Sequence, residues 1–138
     1  MSLLTSAPNG LGLLGWRRIA LTALAFCLAP AVAGLLILVI LQVFGPTALG
    51  PDPLRNEGMA TFALVSPLIV APVWAMIGLG AAWLLKRGWF GWLSSAALGL
   101  LAFAVLARTE IGLISLPFGV VSGVLFRMAL ALQRPLAI

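Results

Sequence analysis

Histidine and tyrosine are absent from this chain of 138 residues, and cysteine occurs once, as Cys27. Without histidine, the chain lacks the commonest metal ligand and the usual general base. A single cysteine excludes an intrachain disulfide and any metal site built from several cysteines. Charged residues make up 8% of the chain, whereas soluble domains have roughly a quarter. This composition offers little material for catalysis, and we expect no enzyme activity, no cofactor and no bound metal.

Apolar residues dominate instead, at 63% of the chain. Four apolar runs nearly fill it, and a bilayer span needs about 20 mostly apolar residues. The sequence therefore predicts an all-α, polytopic integral membrane protein: one transmembrane domain over residues 1–138, folded as a compact antiparallel bundle of four helices. The predicted spans cover about 19–44, 59–85, 90–107 and 111–132, and a proline- and glycine-rich outer loop covers 45–58.

The charges sort by sign along the chain. All three acids (Asp52, Glu57 and Glu110) lie on one set of span flanks, and six of the eight basic residues lie on the other, namely Arg17, Arg18, Lys86, Arg87, Arg127 and Arg134. Because basic residues accumulate on the cytoplasmic side of membrane proteins, both termini are predicted to be cytoplasmic, in a bacterial inner membrane. The high pI does not indicate nucleic-acid binding, since no basic patch is interleaved with aromatic residues.

Small residues recur at helical spacing in every span, and span four has the narrowest such face. Helices in lipid associate where small residues let their backbones approach closely. The face in span four is predicted to be a helix-packing or partner interface, formed by Gly112, Ser115, Gly119, Ser122 and Gly123. Two interpretations are open: the face packs inside the bundle, against span two, or it contacts another chain.

Trp74 differs in position from the other tryptophans. It lies 12 residues before Lys86, about 18 Å along a helix and therefore near the middle of the bilayer. It is either a large packing residue or a contact for lipid, quinone or pigment. The remaining four flank the basic residues, as an aromatic belt does: Trp16, Trp83, Trp89 and Trp92.

No acid, lysine, arginine or histidine is predicted at mid-depth in any span, although transporters usually need such a group. Arg127 is expected to extend to the cytoplasmic headgroups, and Ser66, before Pro67, to bond back to a carbonyl of the preceding turn. We expect a non-catalytic accessory subunit of an electron-transfer, photosynthetic or transport complex, with membrane lipids and either other integral membrane subunits or copies of itself as partners. The alternatives are a small homo-oligomeric transporter or channel and a membrane-bound assembly factor.

Overall fold

The structure is a computed structural model that describes residues 4–104 and 115–138. Over these ranges its regular elements are all helical, which confirms the all-α prediction for the described part of the chain. They are α1 (Gly10–Leu14), α2 (Trp16–Phe44), α3 (Pro53–Arg87), α4 (Trp92–Ala104), α5 (Ser115–Gln133) and a final 3₁₀ turn at Pro135–Ala137. Residues 108–110, between predicted spans three and four, and Gly112 lie outside the described residues.

Three helices, α2, α3 and α5, are long and apolar enough to cross a membrane by length and composition. α4 is apolar as well but has only 13 residues. These helices are compatible with a multi-pass membrane protein. The count of four spans and their orientation stay predictions.

Both long helices continue through their internal prolines. Pro30 lies inside α2, and Pro67 and Pro72 lie inside α3. Pro67 has no N–H to offer the carbonyl of Ala63, one turn earlier. The hydroxyl of Ser66 donates a hydrogen bond to that carbonyl at 2.8 Å. The predicted back-bonding of Ser66 is thereby confirmed, and it satisfies a group that an apolar environment would leave without a partner.

The outer loop is shorter than predicted, because α3 begins at Pro53 rather than near residue 59. The side-chain oxygen of Asp52 accepts a hydrogen bond from the backbone N–H of Arg55 at 3.1 Å, as a carboxylate at a helix N-terminus does. Proline suits the first helical position, where its missing N–H would have had no partner. The prolines and glycines that suggested a loop therefore include a helix-starting signal, and the loop covers only 45–52.

Asn56, in the first turn of α3, fastens this loop to the helix. Its side-chain amide donates to the carbonyls of Pro46 and Gly50, each at 3.0 Å. Asn56 is buried even though its neighbours along the helix are exposed. A single side chain thus ties the start of the loop, at Pro46, and a residue near its end, Gly50, to α3.

The chain divides into two compact units. Unit 1 comprises residues 1–24 and 72–138, and unit 2 comprises 25–71. In unit 2 the helices approach most closely at Gly34, where a Cβ atom would lie 2.6 Å from the carbonyl oxygen of Ala60. The thiol of Cys27 lies 3.8 Å from the carbonyl oxygen of Pro67. Small residues on both helices of unit 2 thus allow this approach.

Candidate functional site

The closest helix contact in unit 1 joins α4 and α5, and we call it the α4–α5 seam: Ser95, Gly99, Ser115, Gly119 and Gly123. A Cβ atom at Gly119 would lie 2.6 Å from the carbonyl oxygen of Gly99, and one at Gly123 would meet the carbonyl of Ser95. Since backbone occupies the space that a side chain would need, glycine is the only residue that fits at these positions without moving a helix.

The seam accounts for most of the small-residue face predicted in span four. Ser115 is buried, and its hydroxyl donates to the carbonyl of Phe103 in α4 at 3.3 Å. Ser122 is half-buried at the edge of the face. Ser115, Gly119 and Gly123 therefore pack inside this chain, against span three rather than span two, and no space remains for a partner helix at Gly119 or Gly123.

Sequence reasoning missed Gly99, the residue of α4 that faces Gly119. The pattern of small residues in the sequence predicts a packing face of span three formed by Gly91, Ser94, Ser95 and Ala102. The buried residues of α4 are Ser95, Gly99 and Ala102. Their spacing of four and then three residues is the ordinary helical one, so strict application of that spacing would have selected Gly99.

Trp74 lies in the core of unit 1 with only 7% of its surface exposed. The centre of its ring is 6.1 Å from that of Phe126, at an interplanar angle of 43°. Aromatic rings at such a distance and tilt stabilise each other beyond their buried area. The structure thus places Trp74 in a packing role and leaves little of the indole for a lipid, quinone or pigment.

Arg127 is fully buried, so the expectation that it extends to the headgroups is wrong. Its Nε donates to the carbonyl of Phe90 at 3.3 Å, and its guanidinium lies 4.2 Å above the ring of Trp92. These two groups, just before and at the start of α4, hold the cation inside unit 1. Among the residues that the structure describes, Nη1 has no hydrogen-bond partner, so part of the cost of burying this charge is not offset by hydrogen bonds.

Three segments far apart in sequence meet at one end of unit 1, which we call the basic end. The backbone N–H of Ser6 donates to the carbonyl of Gly88 at 2.8 Å, and a Cβ at Gly10 would lie 2.5 Å from the carbonyl oxygen of Ala137. Several basic side chains near these contacts are exposed, namely Arg17, Lys86, Arg87 and Arg134. The N-terminal segment, the α3–α4 turn and the C-terminal segment are the three stretches predicted to share the cytoplasmic side.

At the basic end the guanidinium of Arg87 is held between two indoles, 4.2 Å from the ring centre of Trp83 and 5.7 Å from that of Trp89. Both rings are about half exposed. A cation over the face of an indole is attracted by the ring's quadrupole. Arginine and tryptophan are also the side chains that anchor helices at a membrane–water interface.

Two cavities adjoin these tryptophans and share Leu84 and Ser94. The first, about 270 Å³, is lined by apolar residues of α3 and α4 together with Ser94: Gly80, Trp83, Leu84, Ser94, Ala97, Leu98 and Leu101. The second, about 370 Å³, is lined by Leu4, Thr5, Leu84, Trp89 and Ser94. The two shared residues make the cavities adjacent, and together they are called the α3–α4 groove.

Unit 2 has a cavity of its own, of about 280 Å³, beside the outer loop. Asp52, Arg55 and Asn56 line it together with Ile37 and Met59. Asp52 caps α3 and Asn56 holds the loop, so the structural roles of these two polar groups are already assigned. Across residues 4–104 and 115–138, histidine, cysteine and acidic side chains form no group of three that would hold a metal ion.

Comparison with protein-family models, with curated proteins and with solved structures finds no match to this chain. The candidate site consists of a tight helix seam, a buried arginine held by a carbonyl and an indole, and a groove near an exposed arginine. These features can bind other molecules and pack against them.

Proposed function

We propose that this chain is a non-catalytic accessory subunit of a larger integral membrane complex, of the electron-transfer, photosynthetic or transport kind. It stabilises its neighbours through helix packing and lipid contacts. One observation carries the proposal: the apolar helices are mostly left uncovered by the chain itself. In the most apolar 18-residue stretch of each helix, the share of residues that are buried is only 17% in α2, 28% in α3 and 33% in α5. Lipid or partner helices must cover the rest.

The uncovered surface is extensive on the part of α2 that belongs to unit 2. Large apolar side chains there are at least half exposed, namely Val32, Leu35, Leu36, Val39 and Val43. An exposed apolar patch of this size in water would mark an interaction surface. In a membrane it is compatible with lipid, and close packing against a complementary helix gives additional stabilisation. We therefore assign the partner contact to this face of α2 rather than to the glycines of α5.

The polar side chains of the helices support a structural role, because several are engaged within the chain. Thr22 donates to the carbonyl of Arg18 at 2.7 Å and accepts a hydrogen bond from the side-chain amide of Gln133 at 2.9 Å. Ser66 and Ser95 each bond to a carbonyl of their own helix. A transport pathway needs polar groups that are free to exchange partners with a solute.

The proposal includes four spans in a bacterial inner membrane with both termini cytoplasmic. The basic end supports it, since the two terminal segments and the α3–α4 turn meet there. The positive-inside rule assigns such a concentration of lysine and arginine to the cytoplasm. Labelling of a cysteine introduced at residue 52 tests the orientation, with cytoplasmic accessibility contradicting it.

Site-specific photocrosslinking in intact membranes tests the partner surface. A diazirine amino acid of leucine size replaces Leu36, which is 58% exposed, and in a control replaces Leu41, which is 5% exposed. We expect position 36 to capture a different polypeptide and position 41 to capture none. An adduct of two copies of this chain would support a homo-oligomeric transporter or channel instead. Lipid adducts alone at every outward position of α2 would contradict a partner on this face.

A further inference from the structure

We propose that the α3–α4 groove binds one anionic phospholipid, with its phosphate at Arg87 and one acyl chain along Gly80, Leu98 and Leu101. The inference goes beyond the accessory role and rests only on the chain being embedded in a membrane. It concerns a single isolated chain and needs no partner subunit.

The first cavity of the groove has the apolar lining that suits an acyl chain. Its lining is apolar apart from Ser94, and the hydroxyl of Ser94 is engaged: it accepts from the N–H of Gly91 at 2.7 Å and donates to the carbonyl of Trp89 at 2.6 Å. Gly80 carries no side chain, so Leu98 lies directly against the backbone of α3. Trp83 and Leu101 are more than half exposed at the groove, so a lipid in the bilayer can enter from the side.

The positive charge of Arg87, near the groove, suits an anionic headgroup. Arg87 lies over Trp83, which lines the first cavity, and near Trp89, which lines the second. Each cavity is therefore lined by an indole that also lies beside the Arg87 guanidinium. Arginine presents a planar fork of N–H donors that suits a phosphate.

Charge complementarity selects an anionic lipid over a zwitterionic one. The described residues of unit 1 include six basic side chains and no acidic one; the basic residues are Arg17, Arg18, Lys86, Arg87, Arg127 and Arg134. Lys86, next to Arg87, is exposed as well. Basic residues beside a span attract anionic headgroups, and each such residue contributes to binding.

Native mass spectrometry of the isolated chain, released from nanodiscs of equal parts phosphatidylglycerol and phosphatidylcholine, tests the site. We expect one retained phosphatidylglycerol per chain. Arg87→Gln should weaken retention about fivefold, the effect of one basic residue near an anionic surface, whereas Arg17→Gln, which removes the same charge elsewhere on unit 1, should change it little. Equal retention of the two lipids, or equal loss in both variants, would overturn the proposal.

A second pair of variants tests the acyl-chain part. Ala97→Phe fills the groove from an exposed position, and Ala29→Phe adds the same bulk at an exposed position of α2 outside it. The first should abolish specific retention and the second should leave it unchanged. Retention that survives Ala97→Phe would contradict the site. Both measurements use the chain without partners. The lipid site can therefore be refuted while the accessory role holds, and the accessory role can be refuted while the lipid site holds.

Discussion

Adding one methyl group at Gly99 should separate α4 from α5. The new Cβ would run into the carbonyl of Gly119, and it would lie 2.9 Å from the backbone nitrogen of Gly123. Both obstacles are backbone of a packed helix, so no flexible side chain can move aside. The helices must shift apart, and every contact along the α4–α5 seam weakens as they do.

The expected change in the free energy of unfolding for Gly99→Ala follows from two opposing effects. Overpacking a close contact costs typically 1–3 kcal/mol, and a rigid backbone on both sides places Gly99→Ala near the upper end, at about 3 kcal/mol. Alanine is a better helix former than glycine by about 1 kcal/mol, which offsets part of this cost. The net loss is about 2 kcal/mol, or roughly a 30-fold drop in the ratio of folded to unfolded chain.

The matched control is Gly58→Ala in α3, where a Cβ would meet nothing within 4 Å. There the preference of the helix for alanine acts alone, so this change should stabilise by up to about 1 kcal/mol. Unfolding in mixed micelles of mild detergent and sodium dodecyl sulfate, followed by tryptophan fluorescence, measures both variants. Opposite signs are expected. If Gly99→Ala were neutral, or stabilising like its control, the close backbone contact between Gly99 and Gly119 in the α4–α5 seam would be refuted.

Three further changes test other parts of the structure. Gly119→Leu combined with Gly123→Leu should prevent folding of the isolated chain, because both side chains would meet α4 backbone. The measurement is loss of a monodisperse detergent-solubilised species. A folded chain that only loses its partners would show the face to be intermolecular. Arg127→Met should cost only about 1 kcal/mol, because removing a buried charge offsets part of the cost of leaving the Phe90 carbonyl without its donor. Arg127→Ala should cost about 2–5 kcal/mol, because it also leaves a cavity. Equal costs in the free energy of unfolding would contradict the packing described for this side chain. Asn56→Leu should release the outer loop, because it leaves two carbonyls without donors, at a cost of about 1–3 kcal/mol. The release should be seen as faster proteolysis within residues 45–52. An unchanged cleavage rate would argue against the two hydrogen bonds from the Asn56 amide.

The helices and their apolar character follow from the sequence, because a long apolar run satisfies its backbone groups only as a helix in lipid. The back-bonding of Ser66 was predictable for a similar local reason, since Pro67 frees a carbonyl within reach. The start of α3 was also encoded locally, in Asp52 and Pro53. The density of proline and glycine around these two residues concealed it.

The pairing of helices was not predictable from the pattern of small residues. Every span carries such a stripe, so the stripes do not specify which two meet, and the contact of Gly119 with Gly99 depends on how the whole unit packs. The burial of Arg127 depends in the same way on a distant element, since the carbonyl of Phe90 is 37 positions away in sequence. Local reasoning assigned that side chain to the headgroups, where an isolated helix would have placed it.

Native mass spectrometry of the chain purified from its own membranes in mild detergent tests the central claim most directly. The accessory role predicts a species that contains this chain together with one or more different polypeptides. Position-36 crosslinking should identify the neighbour of α2 among them. A symmetric oligomer of this chain alone that also moves a solute across liposome membranes would contradict the account.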